Sequence, residues 1–311
     1  MQIRTIFFNE SGRVRSGWRV LFFVALYSAG LALFAALVYT LAGLTVGLPT
    51  SSSEKFFFGT LVSLVPALAV GWLCGYLFEA LPFRVLGASF TRHWSLHLGL
   101  GLLVGALSVT FAVAVATIFG NYSFTLTDDL DTSAAVVSLG WTLAVFACGA
   151  AFEEALFRGY AFQTLVRAQL AWLAVLLTAI IFGAAHLSNR GAGWISSVDT
   201  VLAGIVFAAA YFKSRDLWFP FGIHLMWNWV QGSIFGVEVS GISDLTADSI
   251  FKEIDNGPDW LTGGAYGIEG GIASTIALML TIAAIYCMPW VRPDNELMAM
   301  CIEEDPKASV S

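Results

Sequence analysis

Apolar positions fall along this chain in long blocks broken by short polar stretches, and they do not alternate with the period of two that marks a half-buried strand. The blocks cover about 18–44, 56–79, 95–119, 134–157, 170–187, 198–212, 217–236 and 271–291. A helix rising ~1.5 Å per residue needs ~20 residues to cross ~30 Å of hydrocarbon. The pattern therefore predicts an all-α, polytopic membrane bundle of about eight transmembrane helices, a single domain over residues 1–293. A β-barrel is set aside, since its strands would alternate.

No repeat of 20 to 50 residues is visible. The first block follows Arg13 and Arg15 and contains Arg19. It is longer than the ~7–15 residue core of a signal peptide, so it reads as a retained anchor. Residues 237–270, "VEVSGISDLTADSIFKEIDNGPDWLTGGAYGIEG", form the one long extramembrane insertion and are expected to be a partly ordered cap or a flexible flap. The tail, 294–311, is expected to be disordered.

Composition supports the membrane assignment: 58% of residues are hydrophobic and 12% charged, respectively above and below the usual shares of a soluble domain. Orientation follows from the basic residues. With the N-terminus inside, eleven lie on the inner side (Arg4, Arg13, Arg15, Arg19, Arg84, Arg92, Arg167, Lys213, Arg215, Arg292, Lys307) and three outside (Lys55, Arg190, Lys252). Positive residues favour the cytoplasm, so both termini are expected there, in the cell membrane, with an even number of spans. The net charge of −7 arises largely from the outer segments (Asp128, Asp129 and Asp131, then Glu238 through Glu269) and the tail. It argues against a nucleic-acid partner. Cys74, Cys148, Cys287 and Cys301 form no CxxC pair, and the first three read as small buried thiols.

Against this background the stretch "FEEALFRGY", 152–160, is anomalous. A carboxylate near the middle of a membrane helix costs about 2.5–3.5 kcal/mol even on the lenient insertion scale, so two adjacent ones must be compensated. Glu154 and Arg158 are four apart, in the order that favours an ion pair. Glu153, rotated ~100° around the axis, is left without a partner in its own helix and suits a general base or acid. The bland alternative is an interhelical polar cluster that fixes packing and nothing more.

Two further pairs weigh against that alternative. Phe182 and His186 in "FGAAH", and His224 and Asn228 in "HLMWN", are each four apart and so lie on one helix face. His93 and His97, at the start of the third block beside Arg92, read as interfacial. Placing the hairpin turn near Gln169 puts Glu153 and His186 both ~24 Å from it, at similar depth. His224 reaches that depth only if the segment around "RGYAFQTLVRAQ" protrudes from the bilayer, with Arg158 and Arg167 approaching water.

In order and spacing, "EEALFR", "FGAAH" and "HLMWN" resemble the EExxxR, FxxxH and HxxxN motifs of the CPBP family, which includes type II CAAX prenyl proteases and bacteriocin-processing or self-immunity proteins. The resemblance covers about residues 134–235. It implies an intramembrane endopeptidase with a polar cavity inside a helical bundle. Glu153 would activate water with help from His186, His224 and Asn228 would stabilise the oxyanion, and Glu154, Arg158 and Phe182 would support them. A peptide or membrane-protein substrate and the lipid bilayer are the implied partners; no oligomeric state is implied. No Ser or Cys nucleophile stands beside a His in any of the motifs, which disfavours a covalent mechanism.

Other readings stay open at this level. Glu153, His186 and His224 are a donor set known from hydrolytic zinc sites, although the usual HExxH helix is absent, and the metal-free reading is preferred. The same cavity could serve a non-hydrolytic scaffold or a self-immunity protein that binds a peptide. A proton-coupled transporter is weaker, because no inverted repeat is visible.

Overall fold

The computed structural model describes residues 6–9, 12–127, 131–246 and 249–302, with side chains through 299. Arg4, Asp128, Asp129, Lys307 and the side chain of Cys301 lie outside this set. The helices are α1 (Ser16–Thr45), α2 (Ser52–Glu79), α3 (Trp94–Phe119), α4 (Thr132–Phe157), α5 (Tyr160–Arg167), α6 (Ala171–Ala185), α7 (Trp194–Ser214), α8 (Trp218–Trp229), the single turn α9 (Asp259–Thr262), α10 (Ile272–Cys287) and α11 (Asn295–Ile302). Two strands, β1 (Tyr122–Leu126) and β2 (Phe251–Asp255), pair antiparallel with Tyr122 opposite Asp255.

The all-α membrane bundle predicted by the apolar blocks is the observed fold. Five segments, beginning at Ser16, Ser52, Trp94, Thr132 and Trp194, are long and apolar enough to cross a membrane; α6 and α10 are apolar but shorter. The block at 217–236 differs from expectation: α8 ends at Trp229 and continues as a π-helical turn, Val230–Ile234. Helix starts follow local chemistry. Ser51 accepts from the Glu54 N–H while the Glu54 carboxylate accepts from the Ser51 N–H, a reciprocal cap for α2. Asp131 accepts from the Ser133 N–H at the start of α4.

Two glycine features set the geometry around the motifs. Gly159 separates α4 from α5, and a Cβ there would lie 2.0 Å from the Ala155 carbonyl oxygen. On α3, Gly101 faces Gly222 of α8 and Gly105 faces Ile223, so closely that a Cβ on Gly105 would fall 2.2 Å from the Ile223 oxygen. The short helix α8, which carries His224, is thus seated directly on the backbone of a long spanning helix.

Buried ions tie the remaining elements together. Glu79 at the end of α2 accepts from Arg167 of α5 at 2.9 and 3.0 Å and pairs with Arg19 of α1 at 2.7 Å. Arg167 is therefore committed to an ion pair. His97 is not interfacial: it is 1% exposed, its Nδ1 lies 2.5 Å from Asp216, and the other Asp216 oxygen accepts the Trp218 and Phe219 N–H groups at the start of α8. Cys74 is buried as expected, Cys148 is partly so, and Cys287 is exposed at the end of α10.

The insertion folds as a cap. Beyond the β1–β2 pairing, the Gly241 N–H donates to the Tyr266 carbonyl and Gln231 Nε2 to the Glu238 carbonyl. The tail, expected to be disordered from 294, begins with α11, where Glu296 meets Arg84; residues 303–311 lie outside the described set.

Candidate active site

A cavity of about 350 Å³ opens among α4, α6, α7, α8, α10 and the cap. Glu153, Phe182, His186, His224 and Asn228 all line it, so the three motifs, 75 residues apart from first to last, converge on one space. Phe56, Phe146, Phe157, Phe207 and Trp227 supply much of its apolar wall.

Glu153 and Glu154 differ as their positions on α4 predict. The Glu154 side chain is 1% exposed and its Oε1 accepts from Arg158 Nη1 at 3.3 Å, while that of Glu153 is 22% exposed and faces the cavity. Arg158 does not approach water: it is fully buried, its Nη2 donates to the Gly204 carbonyl at 2.9 Å, and its guanidinium lies about 5.1 Å from the ring centres of both Phe182 and Phe207. The aromatic faces replace part of the hydration the cation loses.

His224 joins the two carboxylates. Its Nδ1 is 3.0 Å from Glu154 Oε1 and its Nε2 is 3.6 Å from Glu153 Oε2, so Glu153, unpartnered within its own helix, is met by a group from α8. The ring stacks on Phe207 at 4.5 Å and meets Phe182 edge-on at 6.2 Å. His224 reaches the carboxylates because α8, capped by Asp216, packs along α3 and against α4.

His186 caps the C-terminal end of α6. Its Nδ1 lies 2.8 Å from the Phe182 carbonyl oxygen, which can only accept, so Nδ1 carries the proton and Nε2 is left to act in the cavity. Asn228 lies one turn along α8 from His224 and presents an amide able to donate. Glu153, His186 and His224 do not gather as a metal-ligand set, and among the described residues no three His, Cys, Asp or Glu side chains do.

Three contributors to the cavity escape the motif reading. Asp199 of α7 is 1% exposed and accepts from the Thr275 hydroxyl at 2.7 Å. It is an acid inside an apolar block, a signal of the same kind as Glu153. Ser240 and Glu269 come from the cap, and Glu269 Oε2 accepts from both the backbone N–H and the hydroxyl of Ser240, at 2.7 and 2.8 Å. Burial, offset in part by these bonds, pushes the Glu269 carboxyl above the ordinary glutamate range.

No curated protein matches the chain. Residues 134–230 match the family model described as type II CAAX prenyl endopeptidase, Rce1-like. The match begins just inside α4 and ends just past α8, enclosing Glu153, Glu154, Arg158, Phe182, His186, His224 and Asn228. Over that segment the chain is similar to the type II CAAX prenyl endopeptidases, in keeping with the resemblance its three motifs carry.

Proposed function

We propose that the protein is an intramembrane endopeptidase in which Glu153 activates a water molecule for attack on a peptide carbonyl. The observation that carries this reading is the cavity-facing Glu153 carboxylate beside a fully buried Glu154–Arg158 pair, with His224 spanning both acids. Peptide hydrolysis needs a base for water and preorganised donors where negative charge develops. Glu153 takes the proton, and His186, which lines the cavity, assists in moving it. His224 meets Glu154 through Nδ1 and presents Nε2 beside Glu153, where the oxyanion would develop. Asn228 adds a second donor for the tetrahedral oxyanion.

Hydrolysis of apolar peptides by the purified protein, compared with Glu153→Ala and His186→Ala, tests the assignment. Loss of turnover in both variants is expected, and equal turnover by all three would refute it. Including a chelator shows whether a bound metal contributes: unchanged turnover is expected. Peptide binding without any cleavage by the unaltered protein would favour a scaffold or immunity role for the same cavity.

A further inference from the structure

The cavity is lined by three carboxylates, Glu153, Asp199 and Glu269, and by no lysine or arginine among the described residues. Glu153 has His224 beside it, and Arg158 is taken up by Glu154 and the Gly204 carbonyl. Among the described residues neither of the other two acids pairs with a lysine or arginine, and Glu269 lies within electrostatic reach of the His186 and His224 imidazoles. Asp199 binds the Thr275 hydroxyl through Oδ1, and its Oδ2 is buried without a partner. Glu269 takes both of its Ser240 bonds on Oε2. The turn Ile268–Gly270 packs against α7, bringing the two acids to the same side of the cavity, and Tyr266 braces them through a 3.2 Å contact with Thr200. A carboxylate oxygen buried without a partner, as Asp199 Oδ2 is, is costly, and a cation entering a site of low dielectric interacts with it far more strongly than in water.

We propose that Asp199 and Glu269 form a recognition subsite for a cationic group of the substrate, an ammonium or a guanidinium, beside the apolar wall that receives the rest of the peptide. The inference rests on reading this cavity as the substrate site. It makes the cap, which lies outside the family match, a determinant of specificity. It also divides the three acids: Glu153 acts on the scissile bond and the other two select what is placed there.

The test uses full-length protein carrying Glu153→Gln in detergent, so that binding is read without cleavage. Short fluorescent apolar peptides with a single lysine scanned along their length are compared with norleucine counterparts. A second series compares free with acetylated N-termini, which separates a side-chain cation from an α-amino group. One cationic series should bind at least about tenfold more tightly than its neutral match, a ratio worth ~1.4 kcal/mol. Adding Asp199→Asn or Glu269→Gln should bring that ratio towards one while neutral peptides bind as before. Glu269→Gln serves alone should Asp199→Asn fail to fold. Equal binding of charged and neutral peptides, binding of neither, or a preference that survives both substitutions would overturn the proposal. A preference that is present while protein with Glu153 intact cleaves nothing would leave the subsite standing and remove the protease reading.

Discussion

Glu153 and Glu154 are adjacent in sequence yet have unlike surroundings, and their responses to substitution should differ accordingly. Glu154 and Arg158 compensate one another where neither meets water. Removing one partner of such a pair strands the other, at a typical cost of about 3–5 kcal/mol. Arg158→Ala should therefore lower the thermal stability of the detergent-solubilised protein and its activity together, whereas Glu153→Gln should abolish activity and keep the melting temperature. The reverse pattern in thermal melts and turnover would mean that the roles are exchanged. Asn228→Ala should reduce kcat by about 10²- to 10³-fold, the usual effect of deleting one oxyanion donor, with little change in stability. At this scale the i, i+4 rule makes the Glu154–Arg158 pair legible in the sequence. It cannot reveal that His224 joins both acids, since that contact spans 70 residues in sequence and depends on where α8 starts. The burial of His97 was hidden for the same reason: its partner, Asp216, lies in a distant turn.

Among the elements, α8 bears most directly on the site, because its seat on α3 fixes the position of His224. Gly105→Ala would place a methyl 2.2 Å from the Ile223 carbonyl oxygen, so α8 must move. Lower activity and a lower melting temperature are expected from this one methyl, whereas Gly99→Ala, two turns away with open space around its Cβ, should alter neither. The β1–β2 pairing carries a pH dependence of its own. Burial, then hydrogen bonding to Glu238, pushes Glu253 up to about 8. Because its folded pKa is raised, the stability it contributes is fully present below the ordinary glutamate range and is lost as pH rises through about 8. Glu253→Gln should flatten the melting temperature between pH 5 and pH 8, measured by thermal denaturation; an unchanged slope would assign the dependence elsewhere. Long apolar blocks with helical signals declared α1 to α4 and α7 from the sequence. The cap was less legible, because its order comes from contacts such as Gly241 with Tyr266 and β2 with β1, which no local period records.

For the molecule as a whole, the family-matched segment supplies the motif residues of the cavity and the rest of the chain completes the chamber around them. Phe56 of α2, Leu245 and Glu269 of the cap, and Leu278 of α10 line the same cavity from outside residues 134–230. The Arg19–Glu79–Arg167 cluster fastens α1 and α2 to α5, so the first two spans are held to the family-matched segment by ions as well as by packing. The central claim is that water, activated by Glu153, is the nucleophile. Single-turnover cleavage of a peptide in water enriched in ¹⁸O, followed by mass spectrometry of the new C-terminus, tests it most directly. The account predicts one ¹⁸O atom in that carboxylate with the unaltered protein and no product with Glu153→Gln at an unchanged melting temperature; cleavage by Glu153→Gln at the unaltered rate would contradict it.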